Sequence, residues 1–129
     1  MPALPREPLR PTYLSAREPD GTLKWYVAIT QPFTANHACL TGYGPRPDPD
    51  GTFHPVTPTG AAAKVREKLD VKGYLPAARA DIPAVAQQRL LAQLHEMTGL
   101  PNPQFLDDGR IALHGRAPRR RQGRNAVWL

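Results

Sequence analysis

The stretch Thr41-Gly42-Tyr43-Gly44-Pro45-Arg46-Pro47 sets an aromatic ring between two glycines and a guanidinium between two prolines. Glycine there costs chain entropy and proline removes backbone donors, so the loop reads as a stiff frame for Tyr43 and Arg46. A second set of cations follows: Lys64, Lys68 and Lys72 recur at every fourth position, which places them on one face of a helix. A third crowds residues 116–124, where Arg116, Arg119, Arg120, Arg121 and Arg124 stand together. Cations neutralise phosphate and aromatic faces stack on bases or sugars, so interleaved rings and charges suit nucleic acid. Arginine also presents a forked donor that matches phosphate oxygens. These ten residues, with Tyr74 beside them, are the candidate contacts.

Locating the charge sharpens that expectation. The formal net charge is +6, yet residues 1–108 hold 11 basic and 11 acidic side chains. The excess therefore sits wholly in residues 109–129, which carry six arginines and no acid. A neutral body with an arginine tail points to a polyanion partner, on RNA, DNA or a ribonucleoprotein surface.

Catalytic chemistry finds no comparable set. There is no glycine-rich phosphate loop with its lysine and no Gly-x-Ser-x-Gly elbow. Cys39 with His37 or His54 is the nearest approach to a nucleophile pair, and neither spacing guarantees a hydrogen bond. Zinc needs about four ligands at recognisable spacing, against one cysteine and four scattered histidines here. The chain is accordingly read as non-enzymatic, without cofactor or metal. A single cysteine fits a reducing cytosol, and no apolar run approaches the roughly 18 residues of a membrane span. The opening residues, "MPALPREPLRPT", lack the apolar stretch of a secretory signal.

The elements that must position these residues are legible in outline. Prolines at 2, 5, 8 and 11 have the period of polyproline II, which predicts an extended arm over residues 1–11. "TYLSA" and residues 23–30 read as two strands around the Asp20-Gly21 turn. In the second, Leu23, Trp25, Val27 and Ile29 alternate with Lys24, Tyr26, Ala28 and Thr30, predicting one buried and one wetter face. "ANHACLTGY" reads as a third strand, with His37, Cys39 and Thr41 on one face, and "TFHPV" as a fourth on the sheet edge because of Pro55. A helix follows, capped by Thr57 or Thr59, with Ala61, Val65 and Leu69 inward and Gly73 past its end. A second helix runs from Asp81, as cap, to about Thr98, with Ala86, Leu90, Leu94 and Met97 forming an apolar face extended by Val85 and Leu91. Asp107-Asp108-Gly109 offers a small hairpin, and Trp128 a docking residue beyond the arginines. The predicted fold is α+β: a small antiparallel sheet of three or four strands packed by two helices, with extended arms at both ends.

From Thr12 to about Pro76 this order resembles the WGR domain, a family found in DNA-break-sensing poly(ADP-ribose) polymerases and in small bacterial proteins. "LKWYVAIT" is similar to the family's aromatic-rich strand, and Tyr43-Gly44 fall where its Trp-Gly-Arg signature begins. "GAAAKVREKLDVKGY" is similar to its helix, closing on Lys72-Gly73-Tyr74. Pro45 stands at the arginine position, with Arg46 one place later. The resemblance implies an antiparallel sheet packed by a helix, and nucleic-acid contact through the signature loop and adjoining basic residues. With the resemblance confined to residues 12–76, the chain divides into an arm (1–11), a WGR-like domain (12–76), a second helix with its connector (77–108) and an Arg-rich tail (109–129). The expected function is a non-catalytic, cytoplasmic nucleic-acid-binding module, DNA favoured over RNA. The alternative is an accessory factor that docks on a polymerase or ribosome through residues 1–11 and Trp128.

Overall fold

The structure is a computed structural model that describes residues 7–46 and 48–113. Thr12–Arg17 (β1) and Leu23–Ile29 (β2) pair antiparallel from Thr12 opposite Ala28 to Arg17 opposite Leu23. Asp20 holds their turn by accepting from the Thr22 N–H at 2.9 Å. Cys39–Gly44 (β3) adds to β2, and Thr52–Val56 (β4) adds to β3 at the sheet edge. A fifth strand, Leu75–Ala77 (β5), lines the other side of β1, giving the order β4-β3-β2-β1-β5. Three residues with a central proline carry no readable alternation, which is why the sequence predicts only three or four strands. Pro76 also leaves this edge short of a donor.

The first correction concerns β2. Its Tyr26 and Ala28 are as buried as Trp25, Val27 and Ile29, so neither face is wet. Helix α1, Pro58–Asp70, lies over the Tyr26 face, where Leu14, Tyr26, Ala28 and Tyr74 form one apolar cluster with Val65 against it. Helix α2, Ala84–Thr98, covers the Trp25 face, where Ile82, Ala86, Leu90 and Leu94 meet Trp25, Val27, Ile29, Phe33 and Leu40. Alternation in sequence reports polarity, and Tyr26 buries a ring whichever layer covers it.

Thr57 caps α1 as expected, its hydroxyl accepting from the Gly60 N–H at 3.0 Å. The inward stripe of α1 fades after Val65, because Leu69 is 38% exposed near the helix end. Asp81 does not cap α2. It closes a 3-10 turn, Arg79–Asp81, by accepting from the Ala78 N–H at 2.8 Å, and Pro83 takes the cap position without a side-chain bond. Val85 is exposed rather than part of the apolar face. His37 sits in a turn at φ 59°, outside β3, so it does not share a strand face with Cys39.

Gln104–Phe105 (β6) and Ile111–Ala112 (β7) form the expected hairpin around Gly109. A bridge from Leu9 to Ile111 joins it, with backbone bonds of 2.7 and 2.9 Å. Leu9 is 0% exposed, so the arm expected over residues 1–11 enters the core at that position. Burying one leucine stabilises by about 1.5–3 kcal/mol, a sizeable share of the 5–15 kcal/mol usual for a domain. Among the described residues no helix is long and apolar enough to cross a membrane.

Candidate functional site

Register explains the Gly-Tyr-Gly stretch. On β3, Gly42 and Gly44 point to the α2 side, paired with Val27 and Phe53, and with Trp25, respectively. A Cβ on Gly44 would lie 2.6 Å from Trp25 Cζ2, and one on Gly42 would run into the Phe53 ring. Both glycines are therefore clearances for rings that cross the sheet. Trp25 Nε1 is buried in this packing without an acceptor among the described residues. Tyr43, between them, faces the opposite side, half-buried next to α1, with its ring 5.9 Å from that of His54. The glycines thus serve the core, and Tyr43 is presented as a consequence of strand alternation.

On that side Tyr43, Arg46, Lys68 and Tyr74 line one hollow of about 80 Å³, together with Lys24 and Glu18. Three chain segments supply it: the β1–β2 hairpin, the end of β3, and the C-terminal half of α1 with the turn after it. Tyr26 and Tyr74 meet edge to face at 6.5 Å, and Lys68 Nζ lies 5.1 and 5.3 Å from their ring centroids. Lys24 Nζ is 5.4 Å from the Tyr74 centroid. Burial against these rings pulls the Lys68 ammonium below the ordinary lysine range, and Lys64, Lys72 and Lys24 add repulsion that Glu67 opposes. Burial pushes the Tyr26 and Tyr74 phenols up, with the Glu18 charge adding at Tyr74. At about 80 Å³ the hollow has room for a few waters or a small oxyanion.

Arg46 is not free in this arrangement. Its guanidinium contacts Glu18 at 3.3 Å and Asp20 at 3.7 Å. Asp20 is held below the usual carboxylate range first by the Thr22 N–H, with Arg46 a lesser cause. Exposed pairs of this kind contribute little to stability.

The other expected residues are placed differently. Lys64 pairs with Glu67 at 3.4 Å, and Lys72 is exposed beyond the helix end; neither lines the hollow. Arg116, Arg119, Arg120, Arg121, Arg124 and Trp128 lie outside the described residues. Cys39 is buried opposite Val56, its thiol pushed up by burial, while His54 stands opposite Thr41. Lys24 is the contact that charge spacing misses. Its place two residues before Tyr26 on an alternating strand was the available signal. Comparison with protein-family models, curated proteins and solved structures returned no match.

Proposed function

We propose that the protein is a non-catalytic nucleic-acid-binding module whose body site is the hollow lined by Tyr43, Arg46, Lys68, Tyr74 and Lys24. The observation that carries this reading is the convergence of cations and tyrosines from three separate segments on one phosphate-sized recess. Lys68 is suited to the role because its ammonium is partly desolvated, where a phosphate is attracted more strongly than in bulk water. Tyr43, at the rim, offers a face for stacking on a base or sugar. The arginines of residues 116–124 supply a salt-sensitive anchor of weak sequence preference. The likeness to the WGR domain over residues 12–76 supports the same side of the sheet as the contact surface. Cytoplasmic location and a preference for DNA belong to this proposal.

The test is equilibrium binding of labelled single-stranded DNA, duplex DNA and structured RNA at about 50 mM salt. Tyr43→Ala is expected to weaken single-strand binding by about 1–3 kcal/mol, the measured worth of one stacked base. Absence of binding to every probe refutes the proposal. The alternative, docking on a protein complex, draws on Val71 and Leu75, which are 73% and 68% exposed around the turn after α1. That reading calls for a partner captured equally well at low and high salt.

A further inference from the structure

A second cationic surface lies at the opposite end of β1. Arg10, Arg79 and Arg110, from three distant segments, border an open groove of about 690 Å³ floored by Tyr13. The Tyr13 hydroxyl donates to the Gly109 carbonyl at 2.6 Å, which ties the β6–β7 turn to the sheet and fixes one wall. Arg79 is held rather than loose: its guanidinium lies 4.8 Å from the Phe105 ring centroid and donates to Gln87 Oε1 at 3.1 Å. Gln87 in turn donates to the carbonyls of Arg79 and Ile82 at 3.0 and 2.8 Å. A guanidinium fixed in this way binds an anion with little further loss of side-chain entropy.

The three arginines of the lining exceed its two aspartates by one charge. Asp107 and Asp108 share the rim, and Arg110 already neutralises Asp108 at 2.6 Å. Among the described residues neither Arg10 nor Arg79 has a carboxylate at ion-pair distance. Two features separate the classes of polymer this groove can take. The adjacent edge strand β5 carries Pro76 at its centre, so an extended peptide cannot add to it as a regular strand. The lining is otherwise proline, alanine, glycine and threonine, without the deep apolar pocket that anchors a peptide side chain. A phosphodiester backbone needs neither.

We propose that this groove is a second nucleic-acid contact, in which Arg10 and Arg79 hold the backbone of a strand that also engages Tyr43, Arg46 and Lys68. The inference rests on the function proposed above. The two sites lie at opposite ends of β1 and on opposite faces of the sheet, so a strand that reaches both passes around the β5 edge.

The test is binding of a labelled single strand of about 20 nucleotides, long enough to reach both sites, across a salt series. In Arg10→Gln/Arg79→Gln the slope of log affinity against log salt is expected to become shallower by about 1.4, or 0.7 per cation. Arg10→Gln alone, expected to give about half that change, guards against misfolding, because among the described residues Arg10 is bonded through its backbone N–H, to Gln31 at 2.6 Å, and not through its side chain. A parent that binds, with both variants keeping its slope, overturns this inference and leaves the first site standing. A parent that binds no strand overturns both. If inorganic phosphate at constant ionic strength erases the difference between parent and double variant at millimolar concentration, the groove holds free anions and the inference also fails.

Discussion

Gly44→Ala tests whether the glycines of the Tyr43 loop exist for the core. The added methyl would stand 2.6 Å from Trp25 Cζ2, 2.8 Å from Cε2 and 2.9 Å from Nε1. Carbon atoms rest at about 3.5–4.0 Å, so the indole must retreat by about 1 Å. It has nowhere to go. Trp25 is 1% exposed, its ring centroid is 6.0 Å from that of Phe53, and the space over Gly51 is equally closed. Overpacking of this kind costs about 1–3 kcal/mol, which for a domain of this size lowers the melting temperature by several degrees. Urea denaturation followed by far-ultraviolet circular dichroism reads the change as a lower midpoint at unchanged slope. Trp25→Phe removes the ring that clashes, so the double variant should lose less than the sum of the single losses. Stability within about 0.5 kcal/mol of the parent would refute the packing account. A changed affinity at unchanged stability would return Gly44 to the role of framing Tyr43.

Leu9→Ala should destabilise by about 2–5 kcal/mol, as for other buried leucines, whereas a free N-terminal arm predicts no change in the denaturation midpoint. Thr57→Ala removes the α1 cap and should cost about 1 kcal/mol without altering the Lys68 site; a loss of nucleic-acid binding at full stability would contradict that separation. Burial raises the phenols of Tyr13, Tyr26 and Tyr74 above the ordinary value. Below about pH 10 both folded and unfolded chains keep these protons. Above it the unfolded chain releases protons that the folded chain retains, so stability falls as pH rises. Lys68, lowered by burial, works the other way, adding stability as pH approaches about 10.4 and nothing beyond. The urea midpoint should therefore drop only above about pH 10, and a midpoint still rising there would reverse the assignment.

How far the fold could be read from the chain depended on whether the signal was local. Thr57, the Asp20 turn and the β6–β7 hairpin are satisfied within a few residues, and they stand where the sequence predicts. Leu9 was hidden because its partner, Ile111, is about a hundred positions away and a proline period masks the apolar residue. The second buried face of β2 was hidden for a related reason, since a tyrosine over a helix and a tyrosine in water are written alike. Asp81 misled because Asn and Asp cap 3-10 turns as readily as helices. The hollow was half legible. Tyr43, Arg46, Lys68 and Tyr74 were among the candidate contacts and do meet there, whereas Lys64 and Lys72 of the same ridge do not line it. Lys24 required knowing which side of β2 the helix α1 covers.

The central claim is that the Lys68 hollow binds the backbone of a nucleic acid. Its most direct test is the salt dependence of single-strand binding in the parent and in Arg46→Gln/Lys68→Gln. The account predicts that the parent binds and that the variant's slope of log affinity against log salt is shallower by about 1.4, two phosphate contacts at 0.7 each. Identical slopes in the two proteins would contradict it, whatever the affinity.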